Sequence, residues 1–109
     1  MGSCKVRLTA SAYRDLDRIT DRLLEYSPAA AYRVYESLMA AYRRLELFPL
    51  MGPEAQEPEL RQEHTRKLVV GDYVTLYRFL DGVCVIDHVF HGKQDYLGCF
   101  AKWTEQQEK

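Results

Sequence analysis

The stretch T-R-K-L-V-V-G-D-Y-V-T-L-Y-R-F-L-D-G-V-C-V-I-D-H-V-F-H-G-K-Q-D-Y, from Thr65 to Tyr96, decides the fold. Runs rich in Val, Ile, Leu, Tyr and Phe are separated by two dipeptides, Gly71-Asp72 and Asp81-Gly82. Asp-Gly suits a type I′ turn and Gly-X a type II′ turn, the two whose twist matches that of paired strands. The stretch therefore predicts a three-stranded antiparallel meander. The turns also set a register. Across the first, Val70 is expected opposite Tyr73, Leu68 opposite Thr75 and Arg66 opposite Tyr77. Across the second, Leu80 is expected opposite Val83, Arg78 opposite Val85, Leu76 opposite Asp87 and Val74 opposite Val89.

Side chains alternate between the faces of a strand. This register puts Leu68, Val70, Tyr73, Tyr77, Phe79, Ile86 and Phe90 on one face. The other carries Val69, Val74, Leu76, Val85 and Val89, among Lys67, Arg78, Asp87 and His91. Both faces are largely apolar, whereas a small antiparallel sheet usually buries one face and wets the other. The valine face is thus expected to need a partner.

Upstream, Cys4 to Thr9 alternates Cys4, Val6 and Leu8 against Lys5, Arg7 and Thr9, which predicts a half-buried strand at an unspecified edge of the sheet. From Ala12 to Tyr26, Tyr13, Leu16, Ile19, Leu23 and Tyr26 recur at steps of three and four, the mark of an amphipathic helix. Thr9 and Ser11 are its candidate N-caps, and Arg14, Asp15, Arg18, Asp21, Arg22 and Glu25 occupy its polar face. Ser27-Pro28 supplies an N-cap and a first-turn proline for a second helix. That helix has its apolar stripe on Ala31, Val34, Tyr35, Leu38, Tyr42, Leu45 and Phe48, and Pro49 stops it. The short link forces the helices antiparallel. Leu50 to His64 reads as an acidic loop broken by Gly52, Pro53 and Pro58, Leu97 to Trp103 as a last short element, and 104–109 as a disordered tail. The expectation is a single α+β domain over 1–109: an N-terminal strand, a two-helix hairpin, then the meander, with both helices packed on the aromatic sheet face.

The chain has 109 residues, a hydrophobic fraction of 47% and a net charge of −1. These suit one soluble domain and give no global electrostatic drive toward nucleic acid or membrane. No apolar run approaches the ~20 residues of a membrane helix, and Met-Gly-Ser-Cys-Lys lacks the apolar segment of a signal peptide. Cys4, Cys84 and Cys99 have no C-x-x-C spacing, so they read as buried free thiols of a cytoplasmic protein and not as a metal site. No cofactor is implied.

In this order and spacing the segments resemble the RelE/ParE toxin superfamily of bacterial toxin–antitoxin modules, from about Val6 to Tyr96. The resemblance rests on S-A-Y-R-D-L-D-R-I, S-P-A-A-A-Y-R-V, L-E-L-F-P-L-M-G, R-K-L-V-V-G-D-Y-V-T-L-Y-R-F and V-C-V-I-D-H-V-F-H-G-K-Q-D-Y. It implies a growth-arresting toxin neutralised by a cognate antitoxin that wraps it. RelE-like members cut mRNA on the ribosome, and ParE-like members poison DNA gyrase. The nucleases resemble one another in an Arg after the strand tyrosine, an Arg after Gly-Lys and a Tyr near the C-terminus. The matching positions here hold Val74, Gln94 and Phe100. Neither valine nor neutral glutamine replaces a guanidinium that grips phosphate bidentately. The P-L-M-G close and H-x-x-x-D ending look more ParE-like, although Gln94 stands where an Arg commonly precedes that Asp.

The resemblance implies gyrase as target. The alternatives are a ribosome-dependent mRNA endoribonuclease, with His91, Arg78, Lys67 and Tyr96 as candidate catalytic residues, and a degenerate member that keeps only antitoxin binding. Each candidate also has a structural reading: His91 as a strand-end histidine, and Lys67 or Arg78 as ion-pair partners of Asp87. His88 reads as a satisfied core histidine, and most of the tyrosines, Tyr13, Tyr32, Tyr35, Tyr42, Tyr73 and Tyr77 among them, as core tyrosines. The antitoxin is expected on Val69, Val74, Leu76, Val85 and Val89, a second copy of the toxin replacing it when it is absent.

Overall fold

The computed structural model describes residues 3–92. The expectations for Tyr96, for the element over 97–103 and for the 104–109 tail fall outside the described residues. Strand β1 (Lys5–Leu8) leads into helix α1 (Ala10–Leu24) and helix α2 (Pro28–Leu47). A single helical turn, α3 (Pro58–Arg61), precedes β2 (Arg66–Val70), β3 (Tyr73–Leu80) and β4 (Val83–His91). The α+β architecture is the one expected.

Both helices start where the sequence says. Thr9 caps α1 by accepting from the Ala12 amide, and Ser27 caps α2 by accepting from the Ala30 amide ahead of Pro28. The turns also form as read: φ is positive at Gly71 alone in the first, and at both Asp81 and Gly82 in the second. Those are the signs required by types II′ and I′.

The sheet order is β1-β4-β3-β2. The edge that the sequence left open for β1 is that of β4, and the pairing is parallel, with Val6 opposite Cys84 and Leu8 opposite Ile86. The β2–β3 register is as expected throughout. The β3–β4 register holds from Leu80↔Val83 to Tyr77↔Ile86, then slips. Leu76 faces His88, not Asp87, and Val74 faces Phe90, not Val89, because a β-bulge leaves Asp87 without an opposite residue. Beyond the bulge the faces exchange. Val89 joins the helix-side core of Leu16, Leu38, Tyr42, Leu45, Tyr77 and Ile86. Phe90 joins Val74 and Leu76 on the other face.

That second face is not bare. The segment between α2 and β2 folds back across it and inserts Ala55 and Leu60 against Val74, Leu76 and Phe90. The segment is anchored to the sheet margin: the Lys67 amide donates to the Pro53 carbonyl (3.0 Å) and the Ala55 amide to Thr65 (2.9 Å). Tyr77 is a second anchor, its hydroxyl donating to the Pro49 carbonyl (2.8 Å) and accepting from the Gly52 amide (3.0 Å). Gly52 is needed there, since a Cβ would lie 2.6 Å from the Lys67 carbonyl oxygen and 2.8 Å from the Tyr77 ring.

Past Leu8 no strand among the described residues lies beside the outer edge of β4, and α1 takes over. The Thr9 amide donates to Ile86 (3.0 Å) and its hydroxyl to the Asp87 carbonyl (3.1 Å). The Asp15 carboxylate accepts from the Val89 amide (3.0 Å). Asp15, expected on the polar face of α1, is therefore buried and fully engaged: it also meets His88 Nδ1 at 3.1 Å and pairs with Arg18.

Candidate functional site

The described residues offer two places for function: the cluster expected on the sheet, and a groove near the linked end of the helical hairpin. On the sheet, the bulge turns Asp87 toward Arg78, which binds it through two hydrogen bonds, Nε to Oδ2 at 2.7 Å and Nη2 to Oδ1 at 3.0 Å. The bidentate bond to Asp87 pushes the Arg78 pKa up, outweighing its partial desolvation. Lys67 pairs with Glu57 from the loop, not with Asp87. Arg66 spans to the Gly52 carbonyl (2.8 Å). These are structural roles. The cations of the meander hold the sheet and its cover together.

His91 is not among them. Expected on the valine face, it is carried by the bulge to the helix side, where its ring meets the Tyr73 ring edge-on at a centroid distance of 5.3 Å. His88, expected on the core side, stacks instead on Phe90 at 5.3 Å, yet it is buried and bonded to Asp15, the structural role foreseen for it. The candidate set of His91, Arg78 and Lys67 is therefore not brought together on one surface, and Tyr96 lies outside the described residues.

The strip expected to seat a partner also changes. Leu76 is fully buried and Val74 nearly so beneath Ala55 and Leu60, while Val89 lies in the helix-side core. Val69 stays exposed and Val85 is half-buried. Alternation alone, carried through the bulge, produced the wrong grouping. The available signal was the adjacent polar pair Asp87-His88 within an otherwise apolar strand, a break in period that a bulge accommodates.

The second place is a groove of ≈ 650 Å³ between α1 and the β2–β3 turn. Ile19, Leu23, Val34 and Tyr73 give it apolar walls, and Arg18 and Arg22, one turn apart on α1, stand at its rim. A smaller hollow of ≈ 290 Å³, bounded by Arg33 and the Gly71 turn, adjoins it and shares Val34, Asp72 and Tyr73. Burial and the Asp72 carboxylate raise the Tyr73 pKa, and Arg22 partly offsets them. Sequence reasoning missed this site because it assigned the tyrosines to the core. Tyr42 and Tyr77 are indeed buried, but Tyr13, Tyr32 and Tyr35 face out, and Tyr26 stands exposed beside the groove. An apolar trough rimmed by arginines suits an amphipathic, acidic protein segment. No group of three or more His, Cys, Asp or Glu side chains suited to a metal ion occurs among the described residues, and no helix there is long and apolar enough to cross a membrane.

Comparisons with known proteins agree with this architecture. A search of curated proteins finds no match. A chain of the chromosomal ParDE TA system from P. aeruginosa superposes with a TM-score of 0.65 at 17% identity, over 82% of this chain and 96% of that one. A chain of the toxin–antitoxin complex RelBE2 from Mycobacterium tuberculosis gives a TM-score of 0.57 at 28% identity, over 82% and 98%. The family model for the ParE toxin of type II toxin–antitoxin systems, parDE, matches residues 6–96. With nearly the whole described chain inside that match, the protein belongs to the ParE toxin family.

Proposed function

We propose that the chain arrests growth by binding and inhibiting DNA gyrase, and that a cognate antitoxin holds it silent. The observation that carries this reading is the state of the meander's polar residues. Cleaving RNA needs a cation free to meet a phosphate and a positioned acid or base. Here Arg78 is committed to Asp87 and Lys67 to Glu57, and the position after Tyr73 holds a buried valine. The groove, by contrast, suits protein: apolar walls for contact area, with Arg22 and the outer side of Arg18, exposed despite its pair with Asp15, for charge complementarity. An antitoxin segment mixing apolar and acidic side chains matches it. Exposed Val69 and half-buried Val85 remain as the accessible part of the strip expected from alternation.

Purified chain, added to gyrase with relaxed plasmid and separately to translating ribosomes, tests the proposal. Supercoiling should fall while the mRNA stays intact, and the antitoxin should restore supercoiling. Codon-specific mRNA cleavage with gyrase unaffected would establish the nuclease reading instead. No effect in either assay, with antitoxin still bound, would mark a member that keeps only partner binding.

A further inference from the structure

The strand alternation that sets Cys4 on the helix side with Val6 and Leu8 also sets Cys84 there with Ile86. The parallel β1–β4 register places Val6 beside Cys84, so Cys4 lies diagonally across from it. Their sulfurs are 3.8 Å apart, although the residues are 80 positions apart in sequence. Both thiols are directed at one acceptor in the last turns of α2, the Leu45 carbonyl, at 3.1 Å from Cys4 Sγ and 4.0 Å from Cys84 Sγ. The two sulfurs are thus gathered by a shared hydrogen-bond acceptor and by the strand pairing itself.

We propose that Cys4 and Cys84 form a redox-active dithiol that closes to an intramolecular disulfide on exchange with a low-molecular-weight disulfide. The two sites are unequal. Cys84 is fully buried, whereas Cys4 is half-buried and precedes the first residue of β1. Attack on an external disulfide therefore begins at Cys4: its sulfur bonds to one sulfur of the reagent, the reagent's S–S bond breaks, and one small thiol leaves with the proton. Cys84 then attacks the Cys4 sulfur of the mixed disulfide and displaces the second small thiol. Two protein thiols are oxidised by two electrons and one reagent disulfide is reduced to two thiols. Burial, reinforced by the neighbouring Cys4, pushes the Cys84 thiol up to about 12, which makes this second displacement the slow one at neutral pH.

Closure requires the sulfurs to approach from 3.8 Å to about 2.0 Å. The backbone nearest this movement is that of Cys4, whose amide N–H donates to the Glu46 carbonyl of α2 (2.8 Å) at the open end of β1. The product would fasten β1 to β4 and enclose α1, α2, the loop and strands β1, β2 and β3 in one covalent ring. The unfolded chain would lose much of its freedom, and the folded chain would outlast its reduced form.

The test incubates full-length reduced protein with oxidised glutathione, followed by proteolysis, mass spectrometry and thermal melting. A Cys4–Cys84 cross-linked peptide, a mass lower by two hydrogens, and a Tm higher by roughly 10 °C that returns on reduction are expected. The C4S chain should show neither the link nor the rise. The third thiol, Cys99, lies outside the described residues, and the C99S chain should behave as the parent. A chain that stops at glutathionylated Cys4, that links either cysteine to Cys99, or that closes only in denaturant overturns the proposal.

Discussion

The two faces of this sheet are covered in different ways. On one, two long helices lay regular stripes over Tyr77, Ile86 and Val89. On the other, a segment with a single turn of helix presses Ala55 and Leu60 onto Val74, Leu76 and Phe90. The first cover repeats along the chain with a period; the second depends on individual contacts. The stripe of a helix is visible in sequence because each residue's neighbours follow from the period. The loop's contacts follow from no period. Two apolar side chains among acidic and breaker residues look like an ordinary connection until the fold places them on the sheet.

The largest effect should come from Val74→Glu. If the loop completes a second core, a carboxylate enters a site only 8% exposed, among Ala55, Leu60, Leu76 and Phe90. Burying an unpaired charge costs several kcal/mol, about the whole stability of a small domain, so little folded protein should survive. Circular dichroism melting reads this directly. A Val74→Glu chain with unchanged Tm would mean that the loop stands off the sheet and the second face is open.

Alkaline pH should separate the faces next. Tyr42, whose hydroxyl meets Thr75 Oγ1 at 2.8 Å, has its pKa raised from 10.0 to about 12, chiefly by burial. Tyr77 shifts in the same direction for the same reason. The folded chain keeps the Tyr42 proton at pH values where the unfolded chain has released it. Its contribution is thus intact below pH 10.0 and is lost as pH climbs toward about 12. Roughly 2–3 kcal/mol is at stake, read as a falling urea midpoint. Tyr42→Phe, despite leaving Thr75 without this partner, should reduce the alkaline slope to the part that Tyr77 contributes.

The smallest effect belongs to Val69→Glu. Val69 shares the loop-side face but is 67% exposed, beyond the reach of Ala55 and Leu60. Its Tm should shift by no more than about 0.5 kcal/mol equivalent. A large drop would show the second core extending to the end of β2.

Against this background the legibility of the chain divides cleanly. Turn dipeptides, caps and helical stripes act locally, so the meander, both helix starts and the register as far as Tyr77–Ile86 could be read. The β1 edge and the loop cover depend on residues far apart in sequence, so they could not, and the bulge left only the local break in period at Asp87-His88. One displaced residue was enough to move Val89, Phe90 and His91 to the faces opposite those expected. Site assignments inherited part of that slip: Val89 and His91 were grouped with the wrong face.

The way α1 takes over from β1 has a consequence for how the sheet can grow. With Thr9 and Asp15 occupying the backbone groups of Ile86, Asp87 and Val89, no incoming strand can dock beside the last third of β4. At the opposite margin, residues 53–55 already occupy the outward hydrogen bonds around Thr65 and Lys67, so the ladder alternation leaves Val69 as the outward-facing residue of β2. A foreign strand would find there too few bonds to register against. Templated edge-to-edge addition, the usual route by which exposed sheets polymerise into fibres, is therefore blocked at both of these places by the chain's own loop and helix cap.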